Sequence, residues 1–479
     1  MVSSFDRNTK IGSPSGTATS SSTTDIPERF ASTALSERSA GNYSAAAKGI
    51  QCALALTPGE FRYWLILGNL LVESLRAAAG LSPLSRSLHI QPDAPSAAFN
   101  LANAWYSVNS PERAVTLFER AISLDPAYTA GYANLGSTCR ELGEVTRAIR
   151  AYTQATHIRP DRPEPQWNLA TTLLLAGDFE RGLPAFEWRK SLPEHLHRSN
   201  RGNPWRAGAD IAGKIVAVHE EQGLGDLIQF ARFLPEVRKR GARSVLVCSE
   251  RIAPLLRESA LADAVVSESD YEHEVYATDT ITTDIMSLPF LLGFSADQLP
   301  VREGYLRVSP DRRRNWRWVR KSAAINVGIA WQGKISPIDR GRSFSVKHFA
   351  RMAADPRVNL VSLQRNEGRN QLHDSRIQNI LDLPETLDSE GAFLDSVAVM
   401  KELDLIITSD TAIAHVAGAI GVPVWIALRY APDWRWGFSG NACPWYPSAR
   451  LYRQHERGNW EAVFERITSD LFSHPRLRS

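Results

Sequence analysis

Four prolines, Pro58, Pro92, Pro126 and Pro160, stand 34 residues apart, and each closes a similar phrase: ALALTP, SLHIQP, AISLDP and THIRP. A fixed period of this length describes a pair of antiparallel helices that stacks on copies of itself. The residue types inside the period agree. In the unit ending at Pro126, Leu101, Ala102, Trp105, Ala114, Phe118 and Ala121 take the packing positions; in the next, Tyr132, Leu135, Gly136, Ala148, Tyr152 and Ala155 do so. The small residues let two helices approach, and the large ones fill the gap between them. An earlier unit has Trp64, Leu67 and Gly68 with a weaker second helix. The first has Ala46, Ile50 and Ala53 with a poor first helix, and a partial fifth runs through Trp167, Leu169 and Phe186.

Over residues 27–190 the chain therefore resembles the tetratricopeptide family, in period and residue type together. The resemblance implies a concave groove suited to a peptide or a protein partner. A rigid spacer or a dimerisation element is the alternative use of the same array.

At 479 residues the chain is long enough for two to four domains. An apolar fraction of 43%, a charged fraction of 22% and a net charge of +3 are those of an ordinary globular protein and give no argument for a nucleic-acid partner. Cys52, Cys139, Cys248 and Cys443 lie far apart with no CxxC pair, which argues against a zinc site or a disulfide framework and fits a reducing cytosol. No transmembrane segment is expected: no run reaches the ~20 apolar residues a bilayer requires, and Ala414–Leu428 is shorter and carries Pro423. The Ser/Thr-rich stretch of residues 1–26 lacks the apolar region of a signal peptide and is expected to be disordered. The expected location is the cytoplasm, with peripheral attachment at the inner membrane as a variant.

After Arg189 the pattern changes. Residues 191–213 read as a linker with a docking piece around Trp205. Short β-rich runs then alternate with segments of helix length: Ile215–Val218, Ser244–Cys248, Ala264–Val266, Asn326–Trp331, Asn359–Leu363, Leu405–Thr408 and Pro423–Leu428. Such alternation predicts parallel sheets covered on both faces, in two blocks. The basic piece between the blocks, DRRRNWRWVRK, reads as a solvated helix to which Trp316 and Trp318 give an apolar side. Two doubly wound blocks place a ligand cleft beyond the carboxyl ends of their strands.

Four stretches point toward that cleft. HEEQGLGDLIQFARFLP, His219–Pro235, leaves the first strand. Gly223 and Gly225 permit a sharp turn and close backbone approach, and a helix is expected from about Asp226 to Arg240. GLGDLI lacks the third glycine of the dinucleotide fingerprint, which argues against NAD. Asp226 has two readings: a helix N-cap, or a general base taking a proton from an acceptor hydroxyl. In DLIITSDTAIAHVAGAIGVPVWIAL, Asp404–Leu428, the N–H groups at the start of an Ala-rich helix, at Ala412, join the Thr411 hydroxyl as a site for phosphate oxygens. Asp410 caps that helix or binds sugar hydroxyls, and His415 reads as a packed or capping residue. In GIAWQGKISPIDRGRS, Gly328–Ser343, Gly333 precedes three cations, Lys334, Arg340 and Arg342, able to neutralise a diphosphate. A surface loop whose Asp339 pairs with an arginine is the alternative. In RYAPDWRWGFSG, Arg429–Gly440, Trp434 or Trp436 stacks on a nucleobase or packs beneath the loop.

The order of EEQGLGDLIQFARFLP, VGIAWQGK with DRGRS, SDTAIAHVAGAIGVPVW, and APDWRW with WYPSARLY resembles the bacterial tetratricopeptide glycosyltransferases related to the heptosyltransferase family, over roughly residues 200–470. The resemblance implies an α-helical tetratricopeptide solenoid followed by an α/β GT-B fold of two Rossmann-like lobes. The N-terminal lobe would span residues 214–310 and the nucleotide-sugar-binding lobe residues 311–479. It further implies an inverting transfer from a nucleotide-diphosphate sugar, without metal or organic cofactor, in keeping with the absence of a DxD-type pattern. Asp226 matches the catalytic base, and Asp410 and Thr411 match the sugar- and phosphate-contacting pair. The donor-side candidates are then Gly223, Gly225, Gly333, Lys334, Arg340, Arg342, Asp410, Thr411, Ala412 and Trp436. The sequence departs from true heptosyltransferases in two places. Glu221–Asp226 replaces their Ser-Ser-x-Gly-Asp loop, and Asp339–Ser343 replaces their donor-phosphate lysine region. Both departures point away from ADP-heptose and a lipopolysaccharide acceptor. Expected partners are the sugar donor, a protein or glycolipid acceptor, and a protein held in the repeat groove. A protein O-glycosyltransferase of the O-GlcNAc transferase type and an inactive repeat scaffold are the rival readings.

Overall fold

A computed structural model of the chain describes residues 26–193, 195, 202–273, 280–300, 304–334, 341–374 and 377–473. The Ser/Thr-rich residues 1–25 and the candidate Arg340 lie outside the described residues. The chain separates into two compact units, one ending at Thr172 and one beginning at Leu173.

Ten helices run in sequence: α1 (Ile26–Ser39), α2 (Tyr43–Leu56), α3 (Phe61–Glu73), α4 (Ala77–Ile90), α5 (Pro95–Ser107), α6 (Pro111–Leu124), α7 (Thr129–Glu141), α8 (Val145–Ile158), α9 (Pro163–Leu175) and α10 (Phe179–Phe186). The division between the units falls inside α9. Each of the four periodic prolines stands two residues beyond the second helix of a pair. There its ring cannot continue a helix, and the next unit starts. The small residues act as expected: a Cβ at Gly136 would come within 2.8 Å of the Tyr152 ring, so a side chain at this position would separate α7 from α8. Tyr152 is fully buried and shares a 2.8 Å hydrogen bond with Ser137. The weak first unit is visible too, since α1 buries only Pro27, Ala31 and Ala34.

The second unit contains two sheets, both parallel. One has the order β3-β2-β1-β4, with β1 (Ile215–His219), β2 (Arg243–Val247), β3 (Ala264–Val266) and β4 (Thr280–Asp284). The other has the order β10-β9-β8-β5-β6-β7, with β5 (Ile325–Ala330), β6 (Val358–Ser362), β7 (Ile380–Asp382), β8 (Leu405–Ser409), β9 (Val424–Leu428) and β10 (Ala449–Arg453). Parallel neighbours need crossover segments, which cover both faces, so the central strands are mostly apolar; every residue of β5, Asn326 included, is buried. All seven expected strands are present. Three others were not anticipated: β4 is TITTD, nearly apolar-free, β7 has three residues, and β10 is ARLYR, with an arginine at two of its five positions.

In the larger sheet β5 lies between β6 and β8, so the chain winds outward in opposite directions from it. That is the switch point at which a crevice opens beyond the strand ends. The helix expected over about 226–240 is instead broken into α11 (Leu224–Phe230), a 3-10 turn (Ala231–Phe233) and a second short helix (Leu234–Lys239). Pro235 sits in the first turn of that second helix, where its missing N–H costs nothing. Trp205 docks as expected: it is 6% exposed, and its backbone N–H donates to the Thr282 carbonyl of β4 at 2.8 Å. The basic piece between the sheets is solvated as expected, with most of its residues exposed, and is also held by ion pairs. Arg312 pairs with Asp395 at 3.0 Å and Glu390 at 2.6 Å, Arg320 with Asp404 at 2.9 Å, and Arg313 with Glu402 at 2.5 Å. Trp316 donates to Asp395, while Trp318 remains 56% exposed. Among the described residues no helix is long and apolar enough to cross a membrane.

Candidate functional site

A cavity of about 630 Å³ opens beyond the carboxyl ends of β1, β5 and β8. From the smaller sheet it receives the turn Gly223–Asp226, and from the larger one the segments around Gly333, Arg342, Asp410 and Arg435.

The turn is fixed from beneath. Arg189, fully buried just after α10, donates to both carboxylate oxygens of Glu221 at 2.7 and 2.8 Å, and also to Glu187 and Ser287. The next residue, Gln222, has φ +60°, a left-handed conformation that a non-glycine residue holds only when its surroundings enforce it. Gly223 is the N-cap of α11, and Asp226 stands three residues in, its Oδ2 accepting from the Gly223 N–H at 3.1 Å. Asp226 thus supplies the acidic half of a capping box while facing the cavity. It is not the N-cap. Gly225 permits a close approach: a Cβ there would lie 3.0 Å from His415 Cδ2 and 3.3 Å from Ala412 Cα. This brings the start of α11 against the start of the helix Ala412–Ile420.

That second helix begins without a side-chain cap. Thr411 is its N-cap in extended conformation, and its hydroxyl turns to Thr408 at 3.3 Å instead. The first-turn N–H groups at Ala412 and Ile413, both lining the cavity, therefore receive no acceptor from the N-cap side chain. The Arg342 guanidinium donates to the Lys334 carbonyl at 3.3 Å and lies so close to Gly333 that a Cβ there would meet it at 3.0 Å.

Carboxylates and guanidinium groups crowd the floor. Arg435 donates to Asp226 Oδ1 and, at 2.7 Å, to Asp433 Oδ1. Burial pushes the Asp226 carboxyl above its ordinary range, against the pull of Arg435 and the Gly223 N–H. Burial, reinforced by the nearby Asp433 charge, pushes Asp410 up to about 6. Burial works upward on Asp433 as well, but Arg435 and its own backbone N–H hold that group below the usual carboxylate range. His415 is forced down to about 3 by burial and by the positive charge of Arg435, so it is neutral at physiological pH. Its Nδ1 meets Tyr446 Oη at 3.0 Å, and its ring stacks on Trp436 at 5.1 Å.

The candidates Asp226, Gly223, Gly225, Gly333, Lys334, Arg342, Asp410, Thr411 and Ala412 all line this one cavity. Trp436 does not: it is 1% exposed, behind His415, where no nucleobase can reach its face. The packing role foreseen for one of the two tryptophans applies to both, since Trp434 is 6% exposed against Phe186 and Phe230. Not anticipated were Asp433 and Arg435, which belong to a stretch read for its tryptophans, and Phe393 and Asn366. These last two line the cavity with φ of +62° and +52°, conformations that no local sequence signal announces.

Comparison with known proteins bears on the first unit most directly. Models of tetratricopeptide repeats match residues 72–129 and 132–166. The first unit carries tetratricopeptide repeats. Repeats of this kind indicate protein–protein interaction. The chain is 26% identical over 422 residues to Protein FlbA of Caulobacter vibrioides, covering 83% of this chain and 70% of FlbA, a span too long to lie in the repeats alone. Among solved structures, MamA is 18% identical over 37% of this chain and 97% of its own, with a TM-score of 0.33. YrrB, a tetratricopeptide protein with an unusual peptide-binding site, is 16% identical over 37% of this chain and 93% of its own, with a TM-score of 0.31.

Proposed function

We propose that this tetratricopeptide-repeat protein is a glycosyltransferase that moves a sugar from a nucleotide-diphosphate sugar to an acceptor hydroxyl with inversion. The observation that carries the reading is the meeting, in one cavity between two parallel sheets, of a largely buried carboxylate and an uncapped helix N-terminus flanked by Lys334 and Arg342. The N-terminus and the cations suit the diphosphate. The carboxylate suits the proton that the acceptor must lose.

In this reading the acceptor oxygen attacks the anomeric carbon, and the bond from that carbon to the diphosphate oxygen breaks with its electron pair. The acceptor's proton passes to Asp226. The negative charge growing on the diphosphate is met by the N–H groups of Ala412 and Ile413 and by Lys334 and Arg342. Asp410, pushed up to about 6, is suited to accept hydrogen bonds from the sugar hydroxyls when it is anionic and, below about that pH, to donate one to a phosphate oxygen. The repeats hold a protein, which makes a protein acceptor the favoured destination of the sugar. Incubating the full-length chain with labelled nucleotide sugars and a cell extract tests this. Label in protein supports a protein acceptor, label in the lipid extract supports a glycolipid, and label in neither contradicts the transferase reading.

A further inference from the structure

Asp226 belongs to α11, beside the smaller sheet, but its charged partner comes from the larger one. Arg435 follows β9 and divides its guanidinium between Asp226 and Asp433, while its backbone N–H also donates to Asp433 at 3.1 Å. The Arg435 side chain is 9% exposed and lies over the Trp434 ring at 4.7 Å, so it has little freedom to swing away. Trp434 is in turn wedged against Phe186, Phe230 and Trp445. The Asp226 carboxylate, itself 18% exposed, is thus gripped at both oxygens, by Gly223 from its own helix and by Arg435 from the opposite sheet.

We propose that Arg435 is a positioning residue for the transfer: it reaches from the larger sheet to hold the Asp226 carboxylate ionised and aimed into the cavity. The proposal rests on the glycosyltransferase reading. A carboxylate withdrawn from water takes up a proton unless a cation opposes it, and a protonated Asp226 cannot accept one from the acceptor. A guanidinium suits the task because it stays charged at any working pH and does not compete for the proton. The other charged groups near Asp226 do not replace it. Asp433 and Glu221 are anionic and act in the opposite direction, and Glu221 is committed to Arg189. From the larger sheet, Asp410 adds no positive charge and His415 is neutral, while Arg342 is turned to the Lys334 carbonyl. Because the two partners sit on different sheets, the base is competent only while the two sheets hold their present approach.

The test compares the wild-type chain with Arg435→Gln and Arg435→Lys. In Arg435→Gln the acid limb of the kcat–pH profile is expected to move up by about one unit or more, so that kcat at a pH on that limb falls about tenfold or more, the rate equivalent of one unit. The donor KM should change by less than about threefold, and Arg435→Lys should recover most of the rate. Carbon-13 NMR of aspartate carboxyl groups, with Asp226→Asn to assign the signal, reads the same shift without turnover. An unmoved titration of Asp226 in Arg435→Gln overturns the proposal, as does a change confined to KM, which would place Arg435 on the donor instead. If the wild-type chain transfers no sugar at all, the transferase reading fails, and the NMR titration still decides whether Arg435 governs the ionisation of Asp226.

Discussion

The two units bury polarity in different ways. Among the described residues of the repeats, the buried polar side chains are neutral Asn, Ser and Thr, such as Asn100, Asn134 and Thr138. The second unit buries charge: Arg189 and Arg232 are fully enclosed, and Glu221, Asp395 and Glu402 are nearly so. A stack of like units needs only apolar fill and a few local hydrogen bonds, because each helix meets its neighbour at the same place in every period. A cavity assembled from distant segments needs directional holds, and buried ion pairs specify geometry even where they add little stability. Arg189 illustrates the difference. It fixes Glu221, and through it the turn that carries Asp226, where an apolar contact would leave the turn free to rotate.

The contrast can be broken or sharpened by substitution. The largest effect is expected at the charged floor of the cavity. Asp226→Ala should lower kcat by at least about 100-fold while nucleotide binding persists, since a positioned base contributes on that scale; unchanged turnover in a single-turnover assay would remove Asp226 from the mechanism. Next is the hold beneath it. Arg189→Met leaves Glu221 buried without its partner and should destabilise the second unit by roughly 3–5 kcal/mol in urea unfolding, while the unfolding of the repeats stays in place. In the repeats the comparable change is steric. Gly136→Ala forces a Cβ to within 2.8 Å of Tyr152 and should cost about 1–3 kcal/mol in the unfolding of the first unit, with nucleotide binding to the second unit untouched.

The smallest effect expected is one of pH. Asp410 is pushed up to about 6, so it is protonated below that value and anionic above it. An anionic ligand binds the protonated form better. Affinity for a nucleotide-diphosphate sugar, whose own phosphates do not titrate in this range, should therefore fall severalfold as pH rises through about 6. Asp410→Asn should flatten that slope, as followed by calorimetry. An equal slope in the variant would place the titrating group elsewhere.

The same contrast explains what could be read in advance. The repeats were legible because their contacts fall inside one period: Gly136 and Tyr152 are neighbours in a single unit. The central strands were legible because burial on both faces makes them predominantly apolar. Strand β4 was not, since TITTD spends its polar residues at an edge where Pro204 and Trp205 cover it. At the cavity, residue types with an evident affinity for phosphate were found, including Lys334, Arg342 and the Thr411–Ala412 helix start. Arg435 was among the residues missed, because its importance comes from facing Asp226, 209 positions earlier in the chain. Trp436 failed for the converse reason, as an aromatic beside a loop signals stacking on a ligand or burial equally well.

The claim on which the rest depends is that the cavity beside Asp226 accepts the diphosphate of a sugar nucleotide. Thermal unfolding of the full-length chain with UDP, ADP and GDP measures this directly. A rise in Tm of the second unit with at least one of the three is expected, reduced by Arg342→Ala and retained by Asp226→Ala. No rise with any of them, or a rise indifferent to Arg342, would contradict it.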